Sequence, residues 1–208
     1  MPTPSLILVP ARFKTGKLYT PVATTSGGLV LGASGDFNVT RATTATRVNA
    51  SGFIESVASG IPRLDYYTSG GTAGCPALLV EPSGSNLCLQ SQDFTTTWSP
   101  TNVTVSANVT GTTDPFGTNL AEQLFETTTS GLHFLAQTMS ITSGTTYAGS
   151  IFFKKAAGSP DWMQVAFSTT GLAGFANFNL TSGTVGNVGA GCTGRIENYG
   201  NGWYRCTL

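Results

Sequence analysis

The side chains in this sequence that could do chemistry are few and widely spaced. Ten carboxylates, Asp36, Glu55, Asp65, Glu81, Asp93, Asp114, Glu122, Glu126, Asp161 and Glu197, fall in no short motif that reads as a general acid and base. Cleavage of a glycosidic bond needs two carboxyl groups about 5–9.5 Å apart across it. Scattered Asp and Glu read instead as surface and turn residues, with Glu122 and Glu126 expected on an exposed edge. The one histidine, His133, has no Ser or Cys partner at a nucleophile-type spacing, and no G-x-S-x-G is present; a turn or strand edge is expected for it. Cys75, Cys88, Cys192 and Cys206 contain no CxxC pair, and a single histidine does not complete a zinc set in the usual way. They are expected as buried, reduced thiols packing as small hydrophobes. Glycine-rich stretches at 69–71 and 186–194 lack the Lys-Ser/Thr and the helix of a phosphate loop. No catalytic residue, metal site or cofactor is expected.

Aromatic side chains remain. Trp98, Trp162, Trp203, Tyr147, Tyr199 and Tyr204 offer flat faces that match the apolar C–H face of a pyranose, and the competing role is burial in a core. Core is the expectation for Tyr147 and Tyr204. Trp162 follows the loop Gly158-Ser159-Pro160-Asp161 at a strand start, the placement best suited to exposure, so it is the candidate glycan-binding residue. Arg63 and Asp65 are expected to form a local ion pair or loop hydrogen bonds.

Strands must position these residues. No window of a dozen residues repeats apolar positions at helical spacing, whereas period-two alternation recurs. It predicts a strand over 145–154 with Tyr147, Gly149, Ile151 and Phe153 on one face, and another through Leu135, Met139 and Ile141 into a Ser143-Gly144 turn. Met163, Val165 and Phe167 share a face, as do Ala176, Phe178 and Leu180 before a turn at 181–183. A hairpin is predicted over 195–208 about Asn201-Gly202, residue types that accept positive φ cheaply, making Tyr199 and Tyr204 cross-strand partners. Short, evenly spaced strands predict an all-β chain: an extended, small-β anchor region over 1–92, then a jelly-roll-like antiparallel β-sandwich over 93–208. The last strand runs to the final residue, so the sheet is expected to continue beyond the sequence given. The first region has apolar pieces at 29–31, 37–39, 53–57 and 77–80, too brief for a deep core of their own.

Charged residues supply 10% of the chain where about 25% is usual. The ten basic residues balance the ten acidic ones and are thinly spread. No footprint for nucleic acid or an anionic membrane is present. A chain with so little long-range repulsion is suited to self-association or to a larger assembly. No run approaches the roughly 20 apolar residues of a membrane helix, and the opening MPTPSLILVP lacks the pattern of a secretory signal. The chain is expected to be soluble where it is made, a cytoplasm.

Three motifs occur in order: R-x-T-x-A-T-x-V-N-x-x-G from Arg41 to Gly52, P-R-x-D-Y from Pro62 to Tyr66, and L-L-V-E-P-S-G-x-N-L from Leu78 to Leu87. With the TTTW that ends at Trp98, they resemble the N-terminal portion of tailed-phage fibre, spike and appendage proteins. NVTVSAN, the stretch through TTYAGSIFFKKA, and IENYGNGWYRC are similar to the β-sandwich that follows in such proteins, itself similar to carbohydrate-binding-module jelly rolls. The resemblance spans about residues 36–208. Some relatives carry an Arg near Gly84 and a Thr at Ser85, where this chain departs from the pattern. The resemblance implies a virion structural protein, most often a homotrimer, held by other virion proteins through its N-terminal region, with residues 1–35 where a docking segment would sit. The implied roles of the sandwich are spacing, oligomerisation or host-glycan contact. The alternative is a secreted carbohydrate-binding module of a bacterial polysaccharide-active protein.

Overall fold

Alternating side chains make strands, and glycine and asparagine at positive φ turn them. In the computed structural model of the chain, the described residues are 12–19, 22–23, 29–30, 37–167 and 174–208, with side chains described for 15–18, 37–167 and 174–208. Among them every regular element is a strand, every strand pairing is antiparallel, and the chain is all-β. It divides into two compact units, residues 1–81 with 197–202, and residues 82–196 with 203–208. The border after Glu81 lies upstream of the division drawn from composition after residue 92.

The first unit is a set of short hairpins. β1 (Arg12–Lys14), β2 (Lys17–Tyr19) and β5 (Phe37–Asn38) form one sheet, and β3 (Val22–Ala23) pairs with β4 (Leu29–Val30). β6 (Ala45–Val48) pairs with β7 (Ile54–Val57), and β8 (Leu64–Asp65) with β9 (Ala77–Leu78). Leu18, Val48, Val57, Pro62 and Leu64 are buried. Polar hubs do the rest. Asn49 turns the β6–β7 hairpin: its Oδ1 accepts from Ser51 N at 2.9 Å and Phe53 N at 3.1 Å, and Gly52 takes φ +83°. The Arg41 guanidinium donates to the carbonyls of Val57 (3.2 Å), Ala58 (2.6 Å), Ile61 (3.2 Å) and Thr43. Asp65 Oδ1 accepts from Val48 N at 2.7 Å, as loop bonding predicts, but the ion partner of Arg63 is Glu81, at 2.7 Å.

Residues 197–202 complete this unit through a close backbone approach. Gly71 and Gly200 sit at φ +75° and +82°, and a Cβ on Gly71 would lie 2.6 Å from Gly200 Cα. Gly70 N donates to Asn198 O at 3.0 Å, and the Tyr67 and Tyr199 rings lie 4.7 Å apart.

The second unit has two two-stranded pairs, β10 (Ser99–Thr101) with β13 (Phe134–Ala136) and β11 (Val103–Ser106) with β12 (Gln123–Glu126). Two three-stranded sheets complete the strand list, β14 (Ser150–Lys154), β19 (Trp203–Thr207), β18 (Arg195–Gly200) and β15 (Trp162–Phe167), β16 (Gly174–Asn179), β17 (Thr184–Val188), each in that order; residues 197–200 of β18 belong to the first unit and the rest to the second. Both triplets feed one apolar cluster: Ala176, Phe178, Leu180, Cys206 and Leu208 are buried, with Phe153, Met163, Val165, Phe167, Ile196 and Tyr204 against them. Asn201 and Gly202 take φ +50° and +79°, the two positive angles expected of that hairpin turn.

Two predicted strands are shorter than expected. The one over 145–154 begins at Ser150, and the one through Leu135 ends at Ala136, leaving Ile141 exposed. Alternation alone does not make a strand without a partner. β19 supplies partners for Ser150 to Lys154, and Gly149 and Leu208 close the ladder with two backbone bonds.

Gly200→Ala tests the close approach. Positive φ costs an L-residue about 1–2 kcal/mol, and overlap with Gly71 adds to it. Gly191, also at φ +74° but with nothing within 4 Å of a would-be Cβ, isolates the φ cost. Thermal unfolding should show a larger fall in Tm for Gly200→Ala than for Gly191→Ala; at roughly 2–4 °C per kcal/mol for a chain of this size, the difference is readable. Equal shifts would mean that the approach carries no strain.

Candidate functional site

The three tryptophans fall into two kinds. Trp98 donates from Nε1 to Gln90 O at 3.2 Å and meets Phe94 edge-on with centroids 5.1 Å apart. Trp203 is 9% exposed and donates to Thr113 O at 2.8 Å. Both are anchored. Trp162 is 50% exposed, and among the described residues its Nε1–H has no hydrogen-bond partner.

Strand alternation puts it there. Met163, Val165 and Phe167 turn into the cluster, so Trp162, Gln164 and Ala166 point outward, and their partners Asn179, Asn177 and Phe175 on β16 share that face. β17 carries a bulge opposite Ala176 to Phe178, and Gly186 lies within it. The Trp162 side chain reaches across β16 to this glycine: a Cβ on Gly186 would fall 2.4 Å from Trp162 Cζ3 and 2.9 Å from Cη2. The glycine makes room for the ring to lie over the sheet. A glycine inside a strand commonly marks such an approach.

Amides flank the ring. Gln164 Nε2 donates to Asn177 Oδ1 at 2.9 Å, and among the described residues Gln164 Oε1 and Asn177 Nδ2 have no further partner. The preceding residue fixes the backbone: Asp161 Oδ1 accepts from Thr181 Oγ1 at 2.6 Å and pairs with Lys155 Nζ. The Lys155 hydrogen bond, with help from Thr181, holds the Asp161 carboxyl below its usual range.

The other candidates serve structure. Glu55 is held below the usual range chiefly by its bond to Arg47. Asp93 accepts from Thr95 N at 2.9 Å and Thr95 Oγ1 at 2.5 Å. Glu122 is half-buried rather than on an exposed edge, because its Oε2 accepts from Phe94 N at 2.6 Å. Burial raises the Glu122 carboxyl, the Phe94 N–H opposes this, and the charge of Asp93 adds to it. The charge of Asp93 thus bears on Glu122, a proximity that sequence spacing did not show. Both are spent on backbone and hydroxyl donors. Glu126 is exposed at the end of β12, and Asp36 lies outside the described residues.

His133 donates from Nε2 to Thr129 O at 2.9 Å, while its Nδ1 is buried without a partner among the described residues. All four cysteines are free thiols; Cys206 is buried, its thiol pushed up to about 12 by that burial, but Cys75 is exposed, against the expectation of burial. Tyr204 packs on the core, but Tyr147 does not: its hydroxyl accepts from Thr142 N at 2.8 Å across the Ser143-Gly144 turn. Among the described residues no three His, Cys, Asp or Glu side chains converge.

Asp114 is the most heavily bonded carboxylate described. Its Oδ1 accepts from Phe116 N at 2.8 Å and Thr118 N at 3.0 Å, and its Oδ2 from Leu120 N at 3.1 Å and from Thr118 Oγ1. The chain matches no known family, no curated protein and no solved structure.

Two predictions follow from this geometry. Gly186→Val should displace the Trp162 ring and leave the core intact, so the Trp162 indole N–H cross-peak moves while those of Trp98 and Trp203 stay; an unmoved peak would mean the ring does not rest on the glycine. For Asp114, burial raises the carboxyl, but the Thr118 hydroxyl and the three backbone N–H donors outweigh it and leave it lowered. A lowered carboxyl contributes stability that is complete above the unfolded value of about 4 and is lost as pH falls below it. Tm measured against pH should fall less steeply in acid for Asp114→Asn than for the parent chain. Parallel acid limbs would refute the role given to Asp114.

Proposed function

We propose that the chain is a non-enzymatic structural component of a tailed-phage virion, a head- or tail-fibre or spike protein. Its first unit anchors it to other virion proteins, and its second unit, read as a jelly-roll-like sandwich, displays a surface for host glycan. Trp162 carries the display half of this reading. Half-exposed, seated on Gly186 and free at Nε1 among the described residues, it is the one tryptophan that the fold does not use up. A solvent-facing aromatic beside a bonded amide pair that keeps one donor and one acceptor is the composition of a contact surface for a polyhydroxylated ligand.

The anchor half is supported by the motif resemblance, since the motif residues Arg41, Asn49, Arg63 and Asp65 are the polar hubs of the first unit. A net charge of zero suits permanent residence beside many copies and neighbours, and a homotrimer is the oligomer this reading carries. The same Trp162 surface would also serve a secreted carbohydrate-binding module; location separates the two.

Particles purified from cells carrying the encoding genome should contain the chain in fixed proportion to the capsid protein by quantitative mass spectrometry. Finding it secreted and absent from particles would favour the module instead. Incubated with host polysaccharide, the purified chain should release no saccharide. Release that Glu122→Gln or Asp93→Asn abolishes would overturn the non-enzymatic reading and make those two carboxylates an acid and base.

A further inference from the structure

Resting on the glycan-display reading, we infer that the outer face of β15, β16 and β17 is a subsite for a neutral pyranose, stacked on Trp162 and hydrogen-bonded by Gln164 and Asn177, and that it discriminates against acidic sugars. Three observations converge. The Trp162 ring extends across β16 to Gly186 and keeps half its surface in solvent, so indole surface is open to a ligand on this side of the sheet. Next, the amide pair retains an acceptor at Gln164 Oε1 and a donor at Asn177 Nδ2. Adjacent sugar hydroxyls, each both donor and acceptor, match that pairing.

Charge sets the class. No residue of β15, β16 or β17 is charged, and Lys155, beside Trp162 through Asp161, is already paired with that carboxylate. A uronic or sialic acid would bring a carboxylate to a face with no free cation to receive it, at a cost in desolvation that no ion pair returns. A neutral sugar leaves its hydroxyls to the amides and its C–H face to the indole.

The test uses the full chain and two sets of oligosaccharides of matched length: neutral ones of glucose, galactose, mannose and N-acetylglucosamine, and acidic ones of galacturonate and sialylated galactose. Saturation-transfer NMR and titration calorimetry should show at least one neutral oligosaccharide bound and the acidic ones bound at least roughly tenfold more weakly. Trp162→Ala should weaken the neutral ligand at least roughly tenfold, Trp162→Phe should restore part of the loss, and Gln164→Ala should weaken it several-fold with the core resonances unmoved. Binding unchanged in Trp162→Ala and Gln164→Ala, acidic sugars bound as tightly as neutral ones, or no neutral sugar bound would each overturn the inference. Particle content separates this failure from failure of the virion reading. A chain present in particles that binds no neutral sugar sinks the subsite alone, and a chain absent from particles that still binds through Trp162 sinks the virion assignment alone.

Discussion

Phe178 and Ala176 have no solvent exposure at all, and strand alternation turns their burial into a constraint on every residue beside them. Burying a side chain of this size stabilises by about 1.5–3 kcal/mol. A one-residue slip of β16 would turn Phe178 to water and bring Asn177 and Asn179 inward, adding about 1–3 kcal/mol for each amide left unpaired. The register is thus held from the inside. Its partners follow: Met163 opposite Phe178 and Val165 opposite Ala176 must face in, so Trp162 opposite Asn179 and Gln164 opposite Asn177 must face out. The candidate surface is the reverse side of the core, placed by the same pairing.

The first unit is held differently. Its buried apolar side chains are small and few, and ordering each residue costs about 1–2 kcal/mol of backbone entropy. Charged groups make up part of that deficit by bonding to backbone: Arg41 gathers four carbonyls, Asp65 takes two N–H groups, and Arg47 and Glu55 pair across the β6–β7 hairpin at 2.7 Å. Charge-assisted bonds of this kind are roughly twice as strong as neutral ones. These charged groups are therefore tied into the fold rather than left as a solvated coat. Asp93, Asp114 and Asp161 in the second unit are used in the same way, each closing a turn or loop.

How much of this could be read beforehand depends on whether the information is local. The inward sets 163, 165, 167 and 176, 178, 180 and the Asn201-Gly202 turn were legible, because period two and positive φ are local properties. Of the strand expected over 145–154 only Ser150–Lys154 forms, because the ladder with β19 ends at the Gly149–Leu208 bonds and the alternation of 145–148 has no partner strand beyond them. Cys75 was assigned to a core on residue type, and exposure depends on neighbours that type does not encode. The inclusion of 197–202 in the first unit was illegible for the same reason, resting on two glycines, Gly71 and Gly200, that are far apart in the chain and need each other's missing side chain.

Trp162 shows both halves of that lesson. Its exposure was legible from the loop before it and the strand it opens, but what its ring does with that exposure was not. In a strand a side chain ordinarily stands away from the sheet, and an indole so placed would present an edge to solvent and be free to turn. Gly186, two strands on both in sequence and in space, removes the one side chain that would prevent the ring from reaching across β16. Glycine weakens a strand by roughly 0.5–1 kcal/mol relative to alanine, and β17 bulges at this point. A sheet selected for stability alone would carry a branched residue there. The local loss at Gly186 is tied to the contact it permits, since a side chain on β17 at that point would collide with the Trp162 ring.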